Sequence, residues 1–196
     1  MLTLLKESIE KIINDGLFPW PELLASRKVV VCTGNPKAKI LVVGRDLGEE
    51  EILYNEVLVG RTGSHFRKRA RQIGFDPLQD FLMTNTVPLR PLGNKAFPDE
   101  VRKYFWPVLG EIVAYINPKF ILTLGNEALR SFVDTREGIT KLTGKTIRLD
   151  GVINGPLIIP LVHPSYVVRG ISAEEEKRHF VWPLKALYKM WKIPNN

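Results

Sequence analysis

The chain has 196 residues, of which 44% are hydrophobic and 25% charged, a composition typical of a globular rather than a disordered protein. Its 28 Lys and Arg against 21 Asp and Glu give a formal charge of +7, which favours a polyanionic partner. The single cysteine, Cys32, excludes an intrachain disulfide and a metal site built from cysteines alone. No apolar run approaches the roughly 20 residues of a membrane span, and the N-terminus has no signal-peptide pattern, so we expect a cytoplasmic protein without membrane contact.

The predicted elements begin with a helix and then alternate between strands and helices. Apolar residues at helical spacing predict a first helix that ends at Asp15-Gly16, and the proline-rich residues 18–21 predict an extended connector. Short apolar runs predict strands at residues 38–43, 80–84, 119–124, 144–149 and 156–162. Helical patterns predict helices at residues 63–73, 98–116, about 126–133 and 173–191. Pro107 should kink or divide the second of these helices.

This alternation predicts an α/β fold, a three-layer α/β/α sandwich whose central sheet is mostly parallel and covered on both faces. The sequence shows no internal repeat and no linker rich in proline, glycine or serine. We therefore expect a single domain over residues 1–196, with residues 1–26 as an N-terminal helix and extended connector and residues 27–196 as the α/β core. We also expect a monomer.

Polar side chains follow three of the predicted strands. Asp46 follows the first strand, Asn85 the second, and His163 the strand at residues 156–162. Parallel sheets bind ligands beyond the carboxyl ends of their strands, so these three side chains should meet at one edge. Taken singly, each is also an ordinary turn or structural residue; their shared type of position favours a functional site.

A basic stretch at residues 61–71 contains no acidic residue. It is either a solvated helix face or a surface that contacts phosphates. The segment Gly60-Arg61-Thr62-Gly63, leading into the helix, would present backbone N–H groups to an anion. Neither a Walker motif nor a GxGxxG motif is present, so the sequence gives little support to ATP or NAD binding.

Five segments stand in order between residues 27 and 169: GNPKAKILVVGRDLGEEE, VLVGRTGSHFRKRARQIGF, TNTVPLRPLGNKAFPDEV, LTLGNEALRSF and HPSYVVRG. They resemble the uracil-DNA glycosylase superfamily, and most of all its branch that normally carries an iron–sulfur cluster. That branch usually has GEAPG in the first segment, PFVGRAG in the second, TNVVKCRPPGNR in the third and HPS in the last. The resemblance implies a uracil-DNA glycosylase-like fold and activity and, because DNA would be the substrate, a nucleoid-associated location.

The sequence departs from the branch at the cluster cysteines. The positions that match those four cysteines are Phe18, Pro21, Leu89 and Phe105. Thiolates are obligatory ligands of such a cluster, so we expect no cluster, no metal and no cofactor. The apolar replacements suggest that packing fills the space a cluster would occupy.

The base pocket departs from the family pattern as well. GEAPG reads GRDLG here, so Arg45 stands in place of the family's acidic residue. Asp46 comes one position later, where the more widespread uracil-DNA glycosylases, with the motif GQDPYH, have their water-positioning aspartate. Leu58 stands where the family has an aromatic residue that stacks on uracil.

The resemblance implies that uracil is flipped out of the duplex and excised. Asp46 would stabilise the cationic sugar and orient the attacking water, and His163 would stabilise the leaving base. The residues expected to line the base pocket are Gly44, Arg45, Leu58 and Asn85. Those expected to contact DNA are Arg61, Arg67, Lys68, Arg69, Ser165, Tyr166, Val167 and Arg169. The wedge that holds the gap open is expected among Tyr166, Val167 and Val168.

Three other hypotheses remain at this point. Arg45 and Leu58 reshape the pocket, which favours a glycosylase for another deaminated base. Arg45 could also pair with Asp46 and block the pocket, which would leave a catalytically silent DNA-binding protein of the same fold. A nucleotide-binding enzyme of flavodoxin-like topology is the third hypothesis, and it lacks a recognised phosphate motif.

Overall fold

The computed structural model describes residues 1–148 and 155–193. Two short strands, β1 (Leu24–Ser26) and β5 (Arg90–Pro91), form an antiparallel pair. The central sheet is formed by β2 (Cys32–Gly34), β3 (Ile40–Gly44), β4 (Phe81–Asn85), β6 (Phe120–Leu124) and β7 (Leu157–Leu161). Its spatial order is β2-β4-β3-β6-β7, with β2 antiparallel to β4 and all other neighbours parallel.

Helices connect the strands and cover the sheet. They are α1 (Leu2–Asn14), α2 (Glu49–Tyr54), α3 (Arg61–Ile73), α4 (Asp99–Tyr104), α5 (Trp106–Ile116), α6 (Asn126–Arg130), α7 (Ile139–Leu142), α8 (Pro164–Val168), α9 (Ala173–Glu176) and α10 (Trp182–Lys192). Every residue of β3, β4 and β6 is buried, because helices pack on both faces of a parallel sheet. The predicted three-layer α/β/α fold is confirmed. Within residues 1–148 and 155–193, no helix has the length and apolar character needed to span a bilayer.

The register of the sheet brings the ends of its parallel strands to one edge. Ile40 at the start of β3 pairs with Phe81 in β4 and Phe120 in β6, so the three strands begin at the same level. Gly44 at the end of β3 pairs with Asn85 at the end of β4. The loops after β3, β4, β6 and β7 therefore emerge side by side, as the sequence predicted.

Two prolines shape the longer helices. Pro107 divides the predicted helix 98–116 into α4 and α5 at Phe105, because proline has no N–H to continue the hydrogen-bond pattern. The predicted helix 173–191 is helical throughout but widens to a π-helix at Lys177–Val181, just before Pro183. Without an N–H on Pro183, the carbonyl oxygen of His179 accepts a hydrogen bond from the hydroxyl of Thr143 instead, at 3.3 Å.

One predicted strand is mostly absent, and several short elements were not predicted. Of the predicted strand 144–149, Ile147 forms an isolated antiparallel bridge with Ile158, and residue 149 lies outside the described residues. The three residues of β2 and the six of α2 were missed. Both are too short for their periodicity to stand out.

Candidate active site

A cleft of about 830 Å³ opens at the carboxyl ends of the parallel strands. It brings together the three side chains that the sequence placed at this edge, Asp46, Asn85 and His163. The other predicted site residues that line the cleft are Arg45, Leu58, Arg61, Ser165, Tyr166 and Arg169. The prediction that these three side chains meet at one edge of the sheet is therefore confirmed.

Asn85 lies beside Gly44, because β3 and β4 end in register. A Cβ atom at position 44 would lie 2.3 Å from Asn85 Oδ1, so glycine is required for the amide to sit here. Asn85 is 5% exposed. A carboxamide at the base of the cleft offers both hydrogen-bond donors and an acceptor to a planar ligand.

Arg45 and Asp46 follow β3 and form an ion pair. Arg45 Nε donates to Asp46 Oδ2 at 2.7 Å, and Arg45 Nη2 donates to the carbonyl oxygen of Asn94 at 3.2 Å. The Asp46 side chain is 8% exposed, whereas that of Arg45 is 31% exposed. The guanidinium is therefore held from two sides, and it orients one oxygen of a nearly buried carboxylate.

Burial raises the pKa of Asp46 to about 6, because a carboxylate loses hydration inside the protein. Arg45 opposes this effect, while the negative charges of Glu127 and Glu51 add to it. Asp46 is ionised at neutral pH and takes up a proton as the pH falls through about 6.

His163 is held by Ser165 at the start of α8. The backbone N–H of Ser165 donates to His163 Nδ1 at 3.2 Å, and Ser165 Oγ lies 2.8 Å from the same nitrogen. Because a backbone N–H can only donate, Nδ1 is the acceptor and the proton of the neutral ring resides on Nε2. Burial, with a smaller effect from Arg45, lowers the pKa of His163 to about 4. At neutral pH His163 is thus an uncharged hydrogen-bond donor.

Leu58 forms a wall of the cleft in an unusual backbone conformation. Its φ is +57°, in the left-handed region that leucine rarely adopts, and it is 6% exposed. A Cβ atom at position 63 would lie 2.0 Å from the carbonyl carbon of Leu58, so the first turn of α3 fits here only with Gly63. The close contact with Gly63 therefore restricts the backbone position of Leu58.

The backbone amides at the start of α3 bind carboxylates of α2. Glu51 Oε1 accepts from the N–H groups of Val59 and Gly60 at 3.2 and 3.1 Å, and Glu50 Oε2 accepts from that of Arg61 at 2.9 Å. The expectation that this segment offers its amides to a bound anion is wrong for Gly60 and Arg61. The protein's own carboxylates occupy those groups.

Two arginines of the predicted DNA surface are engaged inside the protein. Arg67 is 9% exposed, and its guanidinium donates to the carbonyl oxygen of Val57 at 2.7 Å and to Glu56 at 3.3 Å. Arg69 Nε donates to Glu176 in α9 at 2.7 Å. The prediction that Arg67 and Arg69 contact phosphates is corrected accordingly, since each already has a carboxylate partner. The exposed members of the predicted basic surface are Arg61, Lys68 and Arg169.

The predicted wedge lies on α8. Val167 is 7% exposed and belongs to the hydrophobic core, which corrects the prediction that it contacts DNA. Tyr166 and Val168 are partly exposed, and Tyr166 lines the cleft. Ser165 contacts His163, so its first role is within the protein.

Two acidic residues whose charges act on Asp46 were missed from the sequence. Glu51 lines the cleft, and its Oε2 accepts from the N–H of Gly48 at 3.0 Å. A glutamate three residues after a helix-starting residue is the spacing of a capping box, so a signal for Glu51 was present. Glu127, in the first turn of α6, also lines the cleft, and nothing in the neighbouring sequence distinguishes it.

The positions that match the cluster cysteines hold an aromatic cluster. The rings of Phe18 and Phe105 are 6.0 Å apart, and those of Trp20 and Tyr104 lie edge-on to Phe18 at 5.7 and 5.8 Å. Leu89 is fully buried. None of these side chains carries a thiolate, the ligand that an iron–sulfur cluster requires, so this region does not fit such a cluster.

The fold and the cleft together define a class of protein. A carboxylate, a carboxamide and an uncharged imidazole meet at the carboxyl edge of a mostly parallel sheet, and two of them have strongly shifted pKa values. That combination is typical of an α/β enzyme with its active site at this edge.

Comparison with known proteins identifies the family. The family model of the uracil DNA glycosylase superfamily matches residues 31–188. A type-4 uracil-DNA glycosylase of Thermotoga maritima is 36% identical over 155 residues, 79% of each chain. Another from Sulfurisphaera tokodaii is 30% identical over 138 residues, which cover 67% of this chain and 62% of that protein. A DNA polymerase of Bacillus phage SP01 is 26% identical over 140 residues, 69% of this chain but 14% of the polymerase.

The chain belongs to the uracil-DNA glycosylase superfamily. It is an enzyme of the glycosylase class of hydrolases, and DNA is its partner. The family and the branch predicted from the five sequence segments are confirmed.

Proposed function

We propose that the protein excises uracil from DNA by hydrolysing the N-glycosidic bond of a flipped-out deoxyuridine. The observation that carries this proposal is the meeting of Asp46, Asn85 and His163 in one cleft. Each of these side chains matches one demand of the reaction. A base inside a duplex cannot reach such a cleft, so flipping precedes the chemistry.

Asn85 accounts for base selection. Uracil presents an acceptor at O4 and a donor at N3, and a carboxamide offers one donor and one acceptor that complement them. Cytosine presents the reverse pattern and would leave buried polar groups unpaired, at a cost of about 1–3 kcal/mol for each group. The burial of Asn85 supports this role, because solvent cannot easily repair such a mismatch.

Asp46 and His163 stabilise the two charges that develop as the bond breaks. The sugar becomes oxocarbenium-like and the base leaves as an anion, carrying the bonding electron pair. Ionised Asp46 stabilises the cationic sugar and orients the water that adds to C1′. Neutral His163 donates its Nε2 proton in a hydrogen bond to uracil O2, where negative charge accumulates.

Exposed groups around the cleft would hold the DNA. The exposed Arg61, Lys68 and Arg169 would supply the positive charges for phosphates, and the partly exposed Tyr166 and Val168 would fill the gap left by the flipped base. We propose that the wedge comes from α8, because this helix directly follows His163.

The experiment is excision from oligonucleotides that carry uracil, hypoxanthine, xanthine or a thymine mismatch. We expect the uracil strand to be processed fastest. We expect Asp46→Asn to lower the excision rate by about 10²–10³ while uracil-DNA binding persists, as is typical for the loss of one preorganised electrostatic group. His163→Ala should cause a loss of similar size, because the leaving anion loses its donor.

Each rival hypothesis has its own outcome in this assay. Faster release of hypoxanthine or xanthine than of uracil would assign the enzyme to another deaminated base, as the aliphatic Leu58 and the cationic Arg45 allow. Binding without excision of any base would make it a silent DNA-binding protein. Full activity of Asp46→Asn, together with loss of activity on replacing Arg45 or Glu49, would show that the catalytic carboxylate is not Asp46.

A further inference from the structure

The carboxylate of Glu51 connects two loops that each carry a residue of the proposed active site. Its Oε2 accepts from the N–H of Gly48, two residues after Asp46, at 3.0 Å. Its Oε1 accepts from the N–H groups of Val59 and Gly60, immediately after Leu58, at 3.2 and 3.1 Å. The same carboxylate therefore contacts both the loop after β3 and the loop before α3.

We propose that Glu51 is a positioning residue, which fixes the wall of the base pocket at Leu58 relative to the catalytic carboxylate of Asp46 by holding their two loops together. This inference rests on the proposed function, because it concerns the geometry of the same site. Glu51 acts through the backbone of the loops and does not itself contact the substrate.

The left-handed backbone of Leu58 shows why the wall needs such support. The residue before it is fixed by two contacts, since the N–H of Val57 donates to Thr33 Oγ1 at 2.8 Å and its carbonyl oxygen accepts from Arg67 at 2.7 Å. The residues after it are held by Glu51. Leucine at φ of +57° persists only where its surroundings determine it, and Glu51 supplies the constraint on one side.

A carboxylate suits this task better than a neutral side chain. Three backbone N–H groups converge on Glu51, and a carboxylate is an acceptor at both oxygens, whereas a carboxamide accepts at only one. Hydrogen bonds to an ionised acceptor are also shorter and stronger than those between neutral groups. The positive end of the α3 dipole at Gly60 favours a negative charge here as well.

The test is Glu51→Gln, which keeps the shape of the side chain but can satisfy only one of the two loops. Excision of uracil is measured with enzyme in excess over the oligonucleotide, at pH 8, where Asp46 is ionised. Glu111→Gln is the matched control, because it also turns a helical glutamate into glutamine, and Glu111 is exposed on α5 and does not line the cleft. Two quantities are determined for each variant: the maximal rate at saturating enzyme, and the enzyme concentration that gives half of that rate.

We expect Glu51→Gln to lower the maximal rate by about 10–100-fold, because displacement by about 1 Å costs that much in a preorganised site. Glu111→Gln should stay within about twofold of the wild type, as surface substitutions away from a site usually do. A merely structural role would reduce the folded fraction, which raises the half-saturating concentration and leaves the maximal rate unchanged.

An unchanged maximal rate for Glu51→Gln would therefore overturn the inference. If this variant does not fold, Glu51→Asp replaces it, since the shorter side chain keeps the charge but cannot reach both loops. A lower maximal rate of Glu51→Asp supports the inference, and an unchanged one overturns it. Failure of the proposed function would look different. In that case the wild type itself would excise no uracil.

Discussion

The nearly buried carboxylate of Asp46, paired with Arg45, makes the pH dependence of excision predictable. Asp46 must be ionised to stabilise the cationic sugar, and its pKa is raised to about 6. His163 must be neutral to serve the leaving anion, and its pKa is lowered to about 4. Both requirements are met above pH 6, so the excision rate should rise as the pH increases through about 6 and then stay level to pH 8.

Replacing Arg45 by Met tests the cause of that profile. The charged groups that act on Asp46 are Arg45, which lowers its pKa, and Glu127 and Glu51, which raise it. Without the guanidinium the pKa of Asp46 rises, so the acidic limb of the rate profile should move to higher pH. The profile is measured as single-turnover rate between pH 4.5 and 9, with Arg45→Lys as the control that keeps the charge.

The pKa of His163 also rises in that variant, because Arg45 acts on it too. The Asp46→Asn variant separates the two residues, since its residual activity should lack the limb near pH 6. A limb that persists there in Asp46→Asn, or does not move in Arg45→Met, would contradict this assignment.

At the scale of single residues, the sequence predicted where the site residues lie better than it predicted which side chains form ion pairs. Asp46, Asn85 and His163 were predictable, because each lies at the end of a buried parallel strand or within two residues of it, and these ends meet at one edge of the sheet. The roles of Arg67 and Arg69 were not, because their carboxylate partners, Glu56 and Glu176, are 11 and 107 residues away in sequence. A run of basic residues in the sequence does not reveal which of them form ion pairs with carboxylates from other segments of the chain.

At the scale of elements, the aromatic cluster of Phe18, Trp20, Tyr104 and Phe105 joins the N-terminal connector to the junction of α4 and α5. Phe18→Ala should lower the free energy of unfolding by about 3–5 kcal/mol, the usual cost of removing a buried phenylalanine ring. Unfolding in denaturant measures this loss. Leu17→Ala is the control, because Leu17 is 66% exposed and its replacement should change stability by no more than about 0.5 kcal/mol.

The cluster residues do not line the cleft, so folded Phe18→Ala should excise at the wild-type maximal rate. A stability loss as small as that of Leu17→Ala would show that the cluster is not an anchor for the connector. A lower maximal rate with normal stability would instead connect this region to the chemistry.

Elements with a long pattern or a proline were predictable, whereas short ones were not. Pro107 divided its helix as expected, since the missing N–H acts locally. The strand β2 is antiparallel to β4 and covers only three residues, so its pairing depends on tertiary contacts that periodicity does not report. The helix α2 is six residues long, and its role as a bridge between loops depends on Glu51.

At the scale of the whole molecule, only some of the cationic side chains behind the net charge of +7 are available to bind DNA. Arg45, Arg67 and Arg69 form ion pairs within the protein. Arg61 and Lys68 are exposed and seven residues apart in α3, so they lie on the same side of that helix. Composition predicts a basic protein, but only the fold shows which of its cations are exposed and which are paired with carboxylates.

Salt dependence of binding provides the last prediction. Affinity for uracil-containing duplex DNA should fall with salt, with a logarithmic slope of about −0.9 for each contacted phosphate. Lys68→Ala should weaken binding to all sequences and flatten the slope by about 1. Lys39→Ala is the matched control, because Lys39 is exposed just before β3, at the opposite edge of the sheet from the cleft.

Fluorescence anisotropy at several salt concentrations gives the slopes for the two variants and the wild type. Because both variants lose one positive charge, a difference between them reports the position of the charge and not its amount. Equal slopes for Lys68→Ala and the wild type would mean that α3 presents a solvated face to water. A flatter slope for Lys39→Ala alone would place the DNA at the opposite edge of the sheet, away from Asp46 and His163.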